Sequence, residues 1–403
     1  MKTSRLLPLA LFLASAGSLL AGDPTSLSDA ITSGKVSLTA RLRYESVEQT
    51  GLRDAHAFTL RTRLGFTTAA WQGWKAQIEA ENIVAADGNT YSQAGLNPGG
   101  TGRAVIADPE TTELNQILLS FTSGKTTATL GRQRLVLDNA RFVGDVGWRQ
   151  NMQTFDALVL SDKSLDKTTL TYAYVDQINR VFSDRHAQGK WQSGSHVFNA
   201  SYTGFAAGTL TGYAYLLDFK KIAAPNSNAT YGVSFAGTSK YTDTLKFTYR
   251  AELAQQSDYG SSLLSYRTNY YNLEAGLAAK PGSVTLGYEV LGSDNKVGFK
   301  TPLATLHAFN GWADLFLTTP AAGLRDTYVK ATANLPEDFA LVAFYHQFAP
   351  EAGGADFGQE FDVQLTHKFS KQFTALAKFA DFRRASPAFP NVRKFWLQVE
   401  FVY

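Results

Sequence analysis

Residues 392–403 read VRKFWLQVEFVY. Phe395, Leu397, Val399, Phe401 and Tyr403 fall on every second position, and Trp396, Gln398 and Glu400 fill the gaps. A period of two is the pattern of a β-strand whose two faces meet different surroundings, because successive side chains point to opposite sides.

The same alternation recurs upstream. Val36, Leu38, Ala40, Leu42 and Tyr44 oppose Ser37, Thr39, Arg41, Arg43 and Glu45, and Trp74, Ala76, Ile78 and Ala80 oppose Lys75, Gln77, Glu79 and Glu81. Residues 245–253 repeat it, with Lys246, Thr248, Arg250 and Glu252 on the polar face. Counting such segments from residue 34 to the end predicts about 18 strands. Their links alternate in length. Gln72-Gly73, Ser123-Gly124-Lys125, Pro281-Gly282 and Ser370-Lys371 are short, whereas 86–111, 137–152, 177–189 and 294–322 are long. Tight turns at one end and long loops at the other are the rhythm of an up-and-down antiparallel β-barrel in an outer membrane, and an even strand count leaves both termini in the periplasm. Closure is required because an open strand edge in lipid leaves backbone N–H and C=O groups unpaired, at about several kcal/mol each.

The start of the chain agrees with export. Lys2 and Arg5 precede an apolar run from Leu6 to Ala16, and small residues follow. This reads as a signal peptide over 1–22, too short to span a bilayer, with one barrel domain over 23–403. The 403 residues contain no Cys, which rules out a disulfide scaffold, a thiolate metal site and a cysteine nucleophile. With 38 Lys+Arg against 35 Asp+Glu, composition makes no case for nucleic-acid binding. None of the six His residues sits at metal-ligand spacing from another, and no Ser-His-acid set can be assembled, so neither a metal, a cofactor nor an enzymatic activity is expected. Only some ten residues separate the leader from the first strand, too few for the plug of an energised transporter.

A barrel of about 18 strands is too wide for side chains to fill, so its lumen holds water and its polar faces line a pore. Arg41, Arg43, Arg61 and Arg63 should form a cationic ladder on one wall, with Lys246, Arg250, Lys330 and Lys368 on later strands. Such a ladder favours anions by focusing field lines in a low-dielectric channel. The alternative, that these arginines pair with lumen carboxylates and brace the wall, has equal weight at this point. Segment 137–152, with Arg141, Trp148 and Arg149, and segment 294–322, with His307, Asn310, Trp312 and Asp314, are too apolar and aromatic for free outer loops and are expected to fold into the lumen.

The run GRQRLVLDNARFVGDVGWRQNMQTFDAL at 131–158 resembles the alginate-export family of outer-membrane porins, as does TPLATLHAFNGWADLFL at 301–317. The resemblance implies a monomeric 18-stranded barrel with an arginine-rich constriction, and it nominates Arg132, Arg134, Arg141 and Arg149 for that constriction. Simple alternation from Ala128 and Leu130, however, puts Arg132 and Arg134 on the lipid face unless a bulge shifts the phase. The aromatic ending, Phe401 and Tyr403, resembles the terminal strand that barrel-assembly machinery recognises. Partners expected on this reading are outer-membrane lipid and lipopolysaccharide, that machinery, and an acidic saccharide or small organic anion moving through a passive pore. Dedicated export of an anionic polysaccharide such as alginate and a non-conducting structural barrel are the alternatives.

Overall fold

The computed structural model describes residues 24–403, so the expected leader lies outside them. A short helix, α1 (Leu27–Thr32), comes first; Ser26 caps it by accepting from the Asp29 amide at 3.1 Å. Eighteen antiparallel strands follow and close into one barrel. They are β1 (Lys35–Gln49), β2 (Ala55–Thr67), β3 (Trp74–Ala85), β4 (Thr111–Ser123), β5 (Thr126–Gln133) and β6 (Thr154–Asp162). Next come β7 (Thr168–Asn179), β8 (Lys190–Phe205), β9 (Gly208–Leu217), β10 (Asn228–Lys240), β11 (Leu245–Ser257) and β12 (Arg267–Ala279). The last six are β13 (Gly282–Leu291), β14 (Leu324–Leu335), β15 (Phe339–Ala349), β16 (Gly358–Lys368), β17 (Phe373–Arg384) and β18 (Val392–Val402). The barrel closes where β18 pairs with β1, from Thr39 opposite Val402 to Gln49 opposite Val392. Every segment expected as a strand is one, with ends shifted by a few residues.

The outer face is apolar. Leu42, Phe58, Leu64, Leu273, Leu286 and Leu397 are all exposed on it, an extent of apolar surface that water does not tolerate and lipid does. Inward positions carry polar and small residues together with aromatic ones such as Tyr270, Phe348 and Trp396. Two inward positions are glycines covered by a tyrosine from the paired strand. Tyr213 lies over Gly232 and donates to Glu252 at 2.8 Å, and Tyr328 lies over Gly287 and donates to Glu274 at 2.8 Å. A Cβ at either glycine would stand within 2.3 Å of the tyrosine ring, so only glycine admits this flat arrangement. All the long connections emerge at one end of the barrel, and α1, the short turns and the end of β18 lie at the other.

Candidate functional site

Two loops fold into the barrel. Residues 137–152 and 299–316 touch inward-facing side chains all around the wall: Arg149 reaches Glu45 on β1, Phe142 packs on Tyr213 of β9, Arg141 reaches Glu289 on β13, and Trp312 reaches Asp362 on β16. The two loops also bind each other through their backbones. Gly144 donates to the Leu303 carbonyl at 2.8 Å and Thr305 donates to the Ala140 carbonyl at 3.0 Å. Phe142 anchors this junction in an aromatic group with Tyr213, Tyr270 and Phe299.

The arginine ladder exists: Arg41 stands opposite Arg61 across β1 and β2, and Arg63 stands one inward position along from Arg61. Each member has a carboxylate. Arg41 and Arg61 share Glu400 at 3.0 and 2.8 Å, Arg43 faces Asp108 at 3.7 Å, and Arg63 pairs with Glu81. Arg41 also donates to the carbonyls of Gly147, Trp148 and Arg149 at 3.0–3.3 Å, and the Arg43 guanidinium lies 4.1 Å above the Trp148 ring. The ladder therefore grips loop 137–152 as much as it faces the lumen. Arg149 completes the grip, pairing with Glu45 at 3.0 Å and Asp314 at 3.0 Å. Asp108 comes from a third loop, 86–110, and accepts from the Gln150 amide at 2.8 Å.

Loop 299–316 is held by its own set. Asp362 and Glu360 accept from the amides of Trp312 and Ala313 at 3.2 and 2.6 Å. Asp314 takes Lys394 at 2.6 Å as well as Arg149, and it accepts from Nδ1 of His307 at 2.7 Å. With that tautomer, His307 Nε2 accepts from Lys378 at 2.8 Å, while its ring stacks on Trp148 at 4.6 Å. Burial holds the His307 imidazole well below its ordinary value; Asp314 opposes that shift, and Lys378 and Arg149 add to it. Burial pushes Asp314 upward, but His307, Lys394 and Arg149 outweigh it and keep the carboxyl well below the usual range. Asn310 spans Arg141, Glu289 and Asp326.

Beside these loops the lumen keeps a cavity of about 610 Å³, bounded by Asn139, Phe309 and Asn310 on the loop side and by residues of β10–β15 on the wall. Arg250 in its lining pairs with Glu252 at 2.6 Å, and His346 pairs with Asp326 at 2.9 Å. Lys330 points toward Phe344, its Nζ 5.3 Å from the ring centroid, and has no acidic partner among the described residues.

These positions divide the residues nominated from sequence. Arg41, Arg43, Arg61, Arg63, Arg141, Arg149, Trp148, His307, Asn310, Trp312 and Asp314 converge on the folded-in loops. Arg250 and Lys330 line the cavity. Lys246 and Lys368 share the inward phase of their strands but are exposed near the turn end, away from the narrowing. Arg132 is a correction to the constriction set. It stands in register with exposed Ile117 and with Asp156, on the outward face, and pairs with Asp156 at 2.7 Å near the loop end of β5. No bulge in β5 rotates it inward; the bulges nearby lie in β4, at Asn115, and in β7, at Asp176. Arg134 is a second correction: half-exposed just past β5, it ties to Asp145 and braces the base of loop 137–152 instead of lining a constriction. At the chain end, Phe401 packs on Phe373, and Tyr403 pairs through its backbone with Leu38. The sequence places Lys378 with the inward lysines and Asp108 with the acids of loop 86–110, but it does not disclose that Lys378 centres the Trp148–Trp312–His307 group or that Asp108 faces Arg43. The Tyr91 and Ile106 apolar positions flanking that loop's acids were the available signal.

No family model matches the chain, and no curated protein does. Solved structures share its fold. OccAB4 of Acinetobacter baumannii superposes with a TM-score of 0.74 at 14% identity, over 92% of this chain and 98% of that one. OccK9 (OpdG) of Pseudomonas aeruginosa gives 0.72 at 16% identity, over 93% and 100%. OpdK of Pseudomonas aeruginosa, crystallised with vanillate, gives 0.71 at 13% identity, over 93% and 99%. At these identities the likeness establishes a common barrel fold. The resemblance of 131–158 and 301–317 to alginate-export porins rests on those residues alone.

Proposed function

We propose that this chain is a passive outer-membrane channel of a Gram-negative bacterium, and that small carboxylate-bearing solutes cross it through the cavity beside the folded-in loops. The observation that carries this reading is that cavity: about 610 Å³ of lumen between loop and wall, within the range of small-molecule sites. An apolar belt on the outside and water-sized space inside one closed barrel suit diffusion across a membrane. OpdK, which shares the fold, was crystallised with the carboxylate vanillate. In this reading residues 23–403 form one monomeric barrel domain after a leader over 1–22, both termini are periplasmic, and Phe401 and Tyr403 mark the last strand for assembly.

The arginines have a narrower role than a bare ladder suggests. Each of Arg41, Arg43, Arg61 and Arg63 has a carboxylate within 3.7 Å, so their main work is to hold the loops that narrow the lumen. Export of an alginate-like polymer is the second reading, favoured by residues 131–158; it requires both loops to leave the lumen, because the cavity suits a small solute better than a polymer strand.

Single-channel current in a planar bilayer under a salt gradient tests the proposal. Stable conductance that added vanillate reduces, and that an oligouronate leaves unchanged, is the expected result. Block by oligouronate alone would favour the polymer reading, and absence of current from folded protein would refute the channel.

A further inference from the structure

The cavity lining holds two ionic groups that make no salt bridge among the described residues, although Glu274 stands in register with Arg250, whose guanidinium is taken by Glu252. Lys330, on β14, makes no salt bridge and no hydrogen bond through Nζ among the described residues. Glu274, on β12, accepts from Tyr328 at 2.8 Å and from Asn272 at 3.4 Å, both on Oε1. Its Oε2 accepts from nothing among the described residues and is not closed off from solvent. The other charges in the lining are satisfied: Arg250 by Glu252, Glu289 by Arg141, Asp326 by His346.

Register places the two groups. Lys330 stands opposite Thr285 on β13, and Glu274 stands opposite Gly287, two residues further along the same strand. Their backbones are thus two strand spacings apart and two residues offset, about 12 Å on the diagonal. The Tyr328 ring lies flat over Gly287 between them, and Phe344 flanks the lysine.

We propose that Lys330 and Glu274 form a bipolar solute subsite, and that the channel prefers carboxylates carrying an N–H or O–H donor at the far end. The solute's carboxylate meets the Lys330 ammonium, its donor meets Glu274 Oε2, and its apolar body lies on Tyr328. A plain carboxylate makes only the first contact. Selectivity then resides in this pair and not in the arginine cluster, whose charges are already matched. This inference rests on the cavity being the solute's route.

Calorimetric titration of the folded full-length barrel in detergent micelles, with hexanoate, 6-aminohexanoate and 6-hydroxyhexanoate as probes, tests it without needing current. The donor-bearing acids should bind about tenfold tighter than hexanoate, the worth of one charge-assisted hydrogen bond. Lys330→Met should weaken all three probes about tenfold or more, and Lys330→Arg should retain binding. Glu274→Ala should make the three equal. Heat-modifiable gel mobility verifies that each variant is folded. Equal binding of the three probes by the wild type, no measurable binding at all, or binding insensitive to Lys330→Met would overturn the subsite. Wild-type protein that binds selectively yet passes no current would instead overturn the channel reading and leave the subsite standing.

Discussion

Arg149 is the side chain whose loss should unseat the loops. It is 7% exposed and joins three parts of the chain: β1 through Glu45, loop 299–316 through Asp314, and loop 86–110 through Asp108 at 3.8 Å. In Arg149→Met, Asp314 keeps Lys394 at 2.6 Å and Asp108 keeps Arg43 at 3.7 Å. Glu45, fully buried, has no other salt-bridge partner among the described residues. Leaving a buried charge without its partner costs about 3–5 kcal/mol. The barrel's backbone ladder does not depend on this pair, so the cost falls on the seated loop. Taking the lower figure, the fraction of molecules with loop 137–152 released should rise about a hundredfold, since each 1.4 kcal/mol is tenfold.

The chain has no cysteine, so a single introduced thiol reports this directly. Val143, 1% exposed at the junction of the two loops, is the position for it. Maleimide labelling of Val143→Cys should be slow in the parent and about a hundredfold faster with Arg149→Met, as labelling follows the open population. Adding Glu45→Gln removes the orphaned charge and should recover most of the protection, giving a coupling energy from the double-mutant cycle. Arg134→Ala is the control: its partner Asp145 is retained at the loop base, but the arginine is 52% exposed, and such pairs contribute about 0–1 kcal/mol. A labelling rate in Arg149→Met within twofold of the parent, or no recovery from Glu45→Gln, would refute the claim that this ion pair seats the loop.

Three further outcomes are expected. Leu286→Arg places a charge on the outer face, where Leu286 is 60% exposed, and should lower folding stability in bilayers by about 2–4 kcal/mol; Thr285→Arg, one residue away and inward in the cavity lining, should spare stability and reduce current. Gly287→Ala sets a Cβ 2.0 Å from the Tyr328 ring, so the Tyr328–Glu274 hydrogen bond should be lost, with a fall of about 1 kcal/mol in urea-denaturation stability. Acidification should loosen loop 299–316 through His307: its folded-state imidazole titrates below the unfolded one, so the unfolded loop takes up the proton first and stability falls as pH drops below about 6.5. Asp314, also depressed, contributes in full above about pH 3.8 and begins to lose that contribution only as pH falls below it, so it does not act in that window. Labelling of Ala304→Cys from pH 7 to 5, divided at each pH by the rate of the urea-unfolded variant to remove the fall in thiolate, should quicken, and His307→Gln should flatten the dependence.

The contrast between what the sequence disclosed and what it withheld has a physical origin. Strand positions and their phase are local, because the period of two is written residue by residue; segments such as 153–162 and 338–348 alternate less cleanly, and the rhythm of short and long links supplies the rest of the eighteen. The in-folding of 137–152 and 294–322 was readable from composition, since Phe142, Trp148 and Trp312 would be poor choices for a solvated loop. The electrostatics were not readable, because they depend on partners far apart in the chain. Arg41 and Glu400 are 359 residues apart and become neighbours only because β18 closes on β1, and Arg149 and Asp314 are 165 apart and meet only where two loops cross the lumen. A count of inward arginines therefore suggests an open cationic wall, while strand register supplies Glu400 and Glu81 and a third loop supplies Asp108 to neutralise it. The same register leaves Lys330 unmatched, because its neighbours on β13 and β15 are Thr285 and Phe344 and neither is acidic. Burying many matched charges holds the loops in place, and the few unmatched ones remain available to a solute; the two groups of residues are of the same chemical types, and only the pairing across strands tells them apart.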